Sequence, residues 1–279
     1  MTDIRIKNLT LERGGKSLFK DFSLDFEAET ITALIAPSGA GKTSLFDLIA
    51  GLLPNGDKSV VLCTRGESRS DRALISYVFQ EDRLIKSSTV FQNVLFPLVS
   101  LFPADEAKNR ARTYLEKCGL KDKLNAFPSE LSGGEKQRVS LARAFAYPSR
   151  VLLMDEAFQS LDLHIKFRLM ALFAKLCREE KRTVLLVTHD IREALCLARR
   201  IVVLRGSPLS IVLDEKNESV LFNREENEPD ADGTQALSSA GESSTIAKES
   251  GTEAVKNAYI RLRLEKTALE EKILSLLAE

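Results

Sequence analysis

Five residues, Ile31-Thr32-Ala33-Leu34-Ile35, form an apolar run of strand length that leads without a break into Ala36, Pro37, Ser38, Gly39, Ala40, Gly41, Lys42, Thr43 and Ser44. Behind this loop, Leu45, Leu48, Ile49 and Leu52 are spaced for one face of a helix that should stop near Gly51 and Pro54. A buried strand, a glycine loop and a helix in this order constrain the fold more than any other feature of the chain. Backbone N–H groups of such a loop point inward and, with the helix N-terminus, can cradle phosphate oxygens. Lys42 would add a point charge to the β- and γ-phosphates, and Thr43 a hydroxyl to Mg²⁺. The glycine that usually opens such a motif is Ala36 here, which is tolerable if that position has negative φ and costly if it does not.

Around this unit the pattern is mixed. Ile4, Ile6, Leu9 and Leu11 lead to Gly14-Gly15, and Leu24 and Phe26 follow, as antiparallel strands joined by a tight turn would require. Further strands are expected at Val60–Leu62, Ile75–Phe79, Val151–Met154, Thr183–Val187 and Ile201–Leu204, with helices at 163–180 and 190–199. Residues 84–148 read as a mainly helical insertion, including Ala104–Cys118 between Pro103 and Gly119. The expectation is an α/β core with an N-terminal antiparallel β subdomain and a helical subdomain.

Composition narrows the function classes. Forty Lys and Arg balance 40 Asp and Glu, so a globally basic nucleic-acid binder is not indicated. Cys63, Cys118, Cys177 and Cys196 are scattered, and the chain has only two histidines, which argues against a disulfide framework and a zinc site. The most apolar stretch, Val90 to Phe102, is short and holds Gln92, Asn93 and Ser100, so it is not a membrane span. Asp3, Arg5 and Lys7 interrupt any apolar run near Met1, and the chain reads as soluble and cytoplasmic. From Asp214 to Glu253, 11 acidic residues face three basic ones. Residues 223–251 read as a flexible acidic linker between a main domain over 1–222 and a C-terminal amphipathic helix over 252–279. In that helix Val255, Tyr259, Leu262, Leu269, Ile273 and Leu276 make a narrow apolar seam, with Lys266 in its one gap. The seam is short for an independent coiled coil. Binding a second copy or a regulator is possible for such a helix, and folding back on the main domain is the default expectation.

Two further segments carry chemistry. Val151-Leu152-Leu153-Met154 runs into Asp155 and Glu156, an apolar strand ending in two carboxylates. After a phosphate-binding loop, Asp155 is placed to hold Mg²⁺ and Glu156 to polarise an attacking water. Ser132, Gly133, Gly134 and Glu135 make a capping-box pattern that opens a helix running to Tyr147-Pro148. The two glycines leave its first amides open to an anion.

Leu131-Ser132-Gly133-Gly134 is also the signature of the ATP-binding cassette (ABC) family, and over residues 3–213 the chain resembles that family with five motifs in family order. Gln80, in Tyr77-Val78-Phe79-Gln80, matches the Q-loop. Ser160-Leu161-Asp162 matches the D-loop, and Val187-Thr188-His189-Asp190 the switch-histidine motif. The segment Phe127–Gly134, with Glu193-Ala194 and Ala198–Ile201, looks like bacterial importers, most of all the nitrate, sulfonate and taurine uptake group.

The resemblance implies a P-loop ATPase, with ATP and Mg²⁺ bound between the loop of one subunit and Ser132 and Gly134 of a second. It implies that Lys42, Gln80, Glu156 and His189 are catalytic, and that Thr43, Gln80 and Asp155 face the metal. His189 would contact the γ-phosphate and orient Glu156 and the water, with Asp162 at the subunit junction. The family stacks adenine on an aromatic residue at the offset of Arg13, where a guanidinium can stack or sit as a solvated turn residue. Glu135 stands where Gln is commoner, and its capping role would keep the carboxylate turned from phosphate. His164 reads as a surface residue and the cysteines as packing residues.

Implied partners are an identical second ATPase subunit, transmembrane permease subunits docking near 84–102 and, indirectly, a solute-binding protein, with no nucleic acid. The place would be the inner face of the cell membrane. About ninety residues separate Lys42 from Ser132, too few for the long coiled coils of chromosome-associated relatives. Set against importer function is an ATP-dependent regulatory module with little turnover, suggested by Ala36, Arg13 and the tail.

Overall fold

A computed structural model describes residues 2–37, 39–54, 59–62, 75–159, 161–217 and 268–278. Ser38, Cys63, Ser160, the proposed linker and the first part of the C-terminal helix lie outside the described residues.

Strands β1 (Thr2–Arg13) and β2 (Lys16–Glu27) form a hairpin, and β4 (Val60–Leu62) adds antiparallel to β1. Gly14 and Gly15 turn the hairpin with φ of +57° and +73°, the left-handed pair that a two-residue turn of matching twist demands. The second sheet has six strands in the order β5 (Ile75–Val78), β6 (Val151–Asp155), β7 (Thr183–Val187), β3 (Ile31–Ile35), β8 (Arg200–Arg205) and β9 (Ser210–Lys216). All neighbours are parallel except β9, which runs against β8.

Alternation along these strands divides the interior into two layers. Leu34, Leu153, Leu185 and Val202 face helix α1 (Lys42–Ile49) and the inner side of the three-stranded sheet. Ala33, Leu152, Leu186 and Val203 face the helices on the opposite side. Those are α2 (Val90–Leu95), α3 (Ala104–Lys117), α4 (Gly133–Ala146), α5 (Leu163–Glu180) and α6 (Ile191–Leu197). Among the described residues no strand interrupts 84–148. Leu52 departs from the sequence reading: α1 ends at Ile49 and Leu52 is 62% exposed, because Gly51 turns the chain with φ +72° before the next helical turn can form.

Strand β9 was not anticipated. Its second half, Asp214 to Lys216, looks in sequence like the onset of the acidic stretch, but its charges are spent on neighbours. Asp214 forms a two-pronged pair with Arg200 at 2.6 Å, and Glu215 pairs with Lys272. Lys272 belongs to α7 (Ala268–Ala278), which lies on the main domain. Ile273 is wholly buried, Leu269 and Leu276 pack beside it, and Arg205 donates to the carbonyl of Leu276 at 2.9 Å.

Arg182, just before β7, is buried and ties the helical layer to the sheet. Its guanidinium donates to the carbonyls of Ala144 (3.0 Å) and Phe145 (2.5 Å) at the end of α4, and to Ser149 Oγ (2.9 Å). Carbonyls at a helix C-terminus lack intrahelical partners and attract a cation. Replacing Arg182 by Ala strands these acceptors and should cost about 3 kcal/mol or more. Urea denaturation would measure this, and Arg182→Lys, which lacks the planar fork, should recover less than half of it.

Candidate functional site

Strands β5, β6, β7 and β3 are adjacent and parallel, so the segments leaving their C-terminal ends meet at one edge of the sheet, the edge at which open α/β sheets bind ligands. The phosphate-loop residues leave β3, Gln80 follows β5, Asp155 and Glu156 end β6, and His189 follows β7.

The loop after β3 turns through Gly39 at φ +73° and Gly41 at φ +104°, conformations that a side chain would strain. Ala36 stays outside the left-handed region, so the missing glycine carries no backbone penalty. Gly41 is the N-cap of α1 and offers no side-chain acceptor, which leaves the first amides of that helix for another partner. Lys42 folds back over the loop. It is 7% exposed, and its ammonium donates to the carbonyls of Ala36 (2.8 Å) and Pro37 (2.9 Å). Glu156 Oε1 lies 3.7 Å from it. Burial lowers the pKa of Lys42, and the charges of Glu156 and Asp155 oppose that shift.

Asp155 is 8% exposed, and its Oδ2 accepts from Thr43 Oγ1 (3.2 Å) and from the hydroxyl of Tyr77 (3.3 Å). Burial pushes its carboxyl above the ordinary range, and the bond from Thr43 pulls the other way. Thr43 and Asp155 thus present two oxygens to one spot beside Lys42, a hard-donor pair of the type that suits Mg²⁺, which keeps few protein ligands. Among the described residues no group of three or more His, Cys, Asp and Glu could hold a metal ion.

Glu156 adopts φ +46°, strain of about 1–3 kcal/mol in a non-glycine residue. Its N–H still reaches the carbonyl of Val187 on β7 at 2.9 Å, and its Oε2 lies 3.3 Å from His189 Nδ1. The turn that carries His189 is braced from behind. Lys166 of α5 lies 2.6 Å from Asp190 Oδ2 and 2.5 Å from Glu193 Oε1, while Thr188 Oγ1 donates to Glu193 Oε2 at 2.5 Å. Burial raises the carboxyl pKa of Glu193, and the ammonium of Lys166 counters it.

The sequence did not point to Gln159. Its amide oxygen accepts from Gln80, and its amide nitrogen lies 3.3 Å from His189 Nδ1. Arg13 donates to Ser44 Oγ at 2.9 Å, which holds the guanidinium at the first turn of α1.

Ser132, Gly133 and Gly134 stand apart from this group. Ser132 caps α4 reciprocally with Glu135: its Oγ accepts from the Glu135 N–H at 3.3 Å and its own N–H donates to Glu135 Oε2 at 2.8 Å. That backbone bond holds the Glu135 carboxyl below its usual pKa and keeps it on the cap. The helix they open is nonetheless anchored to the turn that follows β6, because Gln137 Nε2 donates to the carbonyl of Ala157 at 2.8 Å. Gly134 is buried against α5. Asp162 caps α5 through its backbone and is exposed, as is His164. Cys118, Cys177 and Cys196 are buried free thiols.

The model of the family described as ABC transporter matches residues 19–159, half of the chain. The chain belongs to the ABC transporter family. An aliphatic sulfonates import ATP-binding protein of Pseudomonas savastanoi pv. phaseolicola is 36% identical over 209 residues, 74% of this chain and 72% of that protein. A methionine import ATP-binding protein of Bacillus cereus is 36% identical over 203 residues, 69% of this chain and 60% of that protein. Among solved structures, CbiO1 of Clostridium perfringens superposes with a TM-score of 0.67 at 24% identity, covering 77% of this chain and 88% of that one. It is described as part of an ABC transporter complex, and the likeness shows the shared fold. The sulfonate-import relatives agree with the uptake group that the motifs resembled.

A Cβ on Gly134 would stand 2.5 Å from Ile165 Cγ2, so the ABC signature helix can lie this close to α5 only with glycine there. Gly134→Ala should destabilise the protein by about 1–3 kcal/mol. In a double-mutant cycle followed by urea denaturation, Ile165→Ala should remove most of that added cost.

Proposed function

We propose that the chain is the ATP-binding and ATP-hydrolysing subunit of an importer, acting as a dimer under separate membrane subunits. One observation carries the chemistry. Ion pairs join Lys42, Glu156 and His189, and a hydrogen bond joins their sequence neighbours Thr43 and Asp155 beside them, so that three separate strand ends meet at one place. The loop from Pro37 to Ser44, through the backbone N–H groups that follow the proline, and the Lys42 ammonium hold the phosphates. Thr43, Asp155 and Gln80 would hold Mg²⁺, which when bound would neutralise charge on the β- and γ-phosphate oxygens. Glu156 accepts the proton of the attacking water, and His189, set by the Lys166 brace, orients Glu156 and the γ-phosphate.

Arg13, fixed by Ser44, lies where it can stack on the base or face the α-phosphate. The second half of the site is the exposed Ser132-Gly133 cap, with Gly134 and Asp162, from an identical neighbour. Closure of the pair is the step that would move the membrane subunits. Their docking face on this chain is the exposed apolar rim at Ile85, Phe96, Val99 and Leu101, within 84–102. Val90, Val94 and Leu98 of the same segment are interior.

The import names of the relatives support this reading, and the presence of a P-loop and a signature that do not meet within one chain supports the pairing of two cassettes. Among the described residues no helix is long and apolar enough to cross a membrane. The subunit would sit on the inner membrane face, served indirectly by a solute-binding protein. The low-turnover alternative loses one of its grounds, because Ala36 is unstrained. Glu156→Gln should reduce kcat by roughly 10²–10⁴ with ATP binding retained, and ATP should pair the variant in solution scattering. Unchanged hydrolysis in Glu156→Gln would refute the assigned base.

A further inference from the structure

The reaction described above gives no work to Gln159, yet among the described residues its amide lies against both Gln80 and His189. It reaches them because it sits in the turn opened by Glu156, its own N–H donating to the Glu156 carbonyl at 3.0 Å. That turn leaves β6, which lies between β5 and β7 in the sheet, so residue 159 falls between the segments that leave its two neighbours. The carboxamide offers an acceptor on one side and donors on the other. Gln80 uses the acceptor, and the amide nitrogen lies 3.3 Å from His189 Nδ1 and 3.5 Å from Nε2. Oε2 of Glu156 is also 3.3 Å from Nδ1, and the nearly equal distances of the Gln159 amide nitrogen from the two ring nitrogens set it against the imidazole ring as a whole rather than on one lone pair. The imidazole is thereby covered by the Gln159 amide and paired through Nδ1 with Glu156, and a γ-phosphate oxygen would have to displace that cover to reach it.

We infer that Gln159 is a positioning residue, a bridge that holds Gln80 and His189 against each other in the nucleotide-free subunit and opens when Mg·ATP takes both. The inference rests on the roles given above to Gln80 and His189. Three consequences follow. The bridge competes with nucleotide, so removing it tightens binding. It couples the Q-loop to the switch histidine, so disturbing Gln80 is felt at His189 about as strongly as disturbing Gln159. It is absent in the loaded state, so its removal changes nothing there.

The chain suits a direct test, because His164 and His189 are its only histidines and His164 is exposed on α5. Imidazole ¹⁵N–¹H correlation spectra of the full chain would be recorded without nucleotide for the unsubstituted protein, Gln159→Ala, Gln159→Ser and Gln80→Ala. His164→Gln provides the assignment. The His189 signals should move in all three variants while those of His164 stay. In a Glu156→Gln background saturated with Mg·ATP, the Gln159 variants and their parent should give coincident His189 signals. The Kd for Mg·ATP, read from a fluorescent ATP analogue by competition, should fall about three- to tenfold in Gln159→Ala and Gln159→Ser. His189 signals indifferent to Gln159 in the nucleotide-free protein would overturn the bridge, and so would a difference that persists undiminished in the loaded state, or an unchanged or weakened Kd. A parent protein that binds no Mg·ATP would sink the ATPase reading itself, a failure distinct from an indifferent nucleotide-free spectrum.

Discussion

An ammonium group removed from water must find compensating partners, and the way Lys42 finds them organises this molecule. Two are carbonyls of its own loop, and they close the loop on itself. The third is the carboxylate of Glu156, which belongs not to the neighbouring strand but to β6, beyond β7. Thr43 makes the same crossing to Asp155. The loop and the carboxylates therefore fix each other across the strand that carries His189, and His189 lies in the gap with its own contact to Glu156. Left-handed backbone at Gly39, Gly41 and Glu156 is what this meeting requires, glycine where a side chain is not needed and strain where it is.

The helical layer is attached to that centre at few points. Gln137 holds the signature helix to the carbonyl of Ala157, Gly134 allows it to lie against Ile165, and Arg182 gathers its far end. The next residue after Ile165, Lys166, grips Asp190 and Glu193 behind the switch histidine. The helix that starts at the D-loop is thus in contact with both the signature helix and the histidine turn. Such an arrangement suits the proposed dimer, because a shift of α5 would be felt at both. The C-terminal helix adds a lock on the opposite flank: Glu270 lies 3.8 Å from Arg192, at the start of the helix that follows His189.

The site was legible in the sequence to the extent that its chemistry is encoded in short spacings. The strand before the phosphate loop, the carboxylates ending β6 and the capping box at Ser132 each depend on neighbours within a few residues, and local periodicity and hydrogen-bonding rules reveal them. The resemblance of ordered motifs then supplied Gln80 and His189, which a lone Gln or His could not. What escaped depends on strand order. Gln159 has meaning only because β6 lies between β5 and β7, and Lys166 only because α5 crosses behind the β7 turn. Arg182 looks in sequence like a surface arginine after Lys181, and nothing local says that three acceptors surround it. Strand β9 was hidden because an edge strand needs only one apolar face, so its charged half matched the acidic composition that follows. Leu52 shows the opposite error, in which a helical spacing continued past the residue where glycine had already turned the chain.

Lys42, Thr43 and Asp155 form the cradle proposed to accept a magnesium triphosphate. The most direct measurement is isothermal titration of the full chain with ATP, with and without Mg²⁺. The account predicts one nucleotide bound per chain and affinity strengthened by Mg²⁺, with that magnesium dependence lost in Asp155→Asn. Binding without Mg²⁺ dependence, or the same dependence in Asp155→Asn, would contradict it.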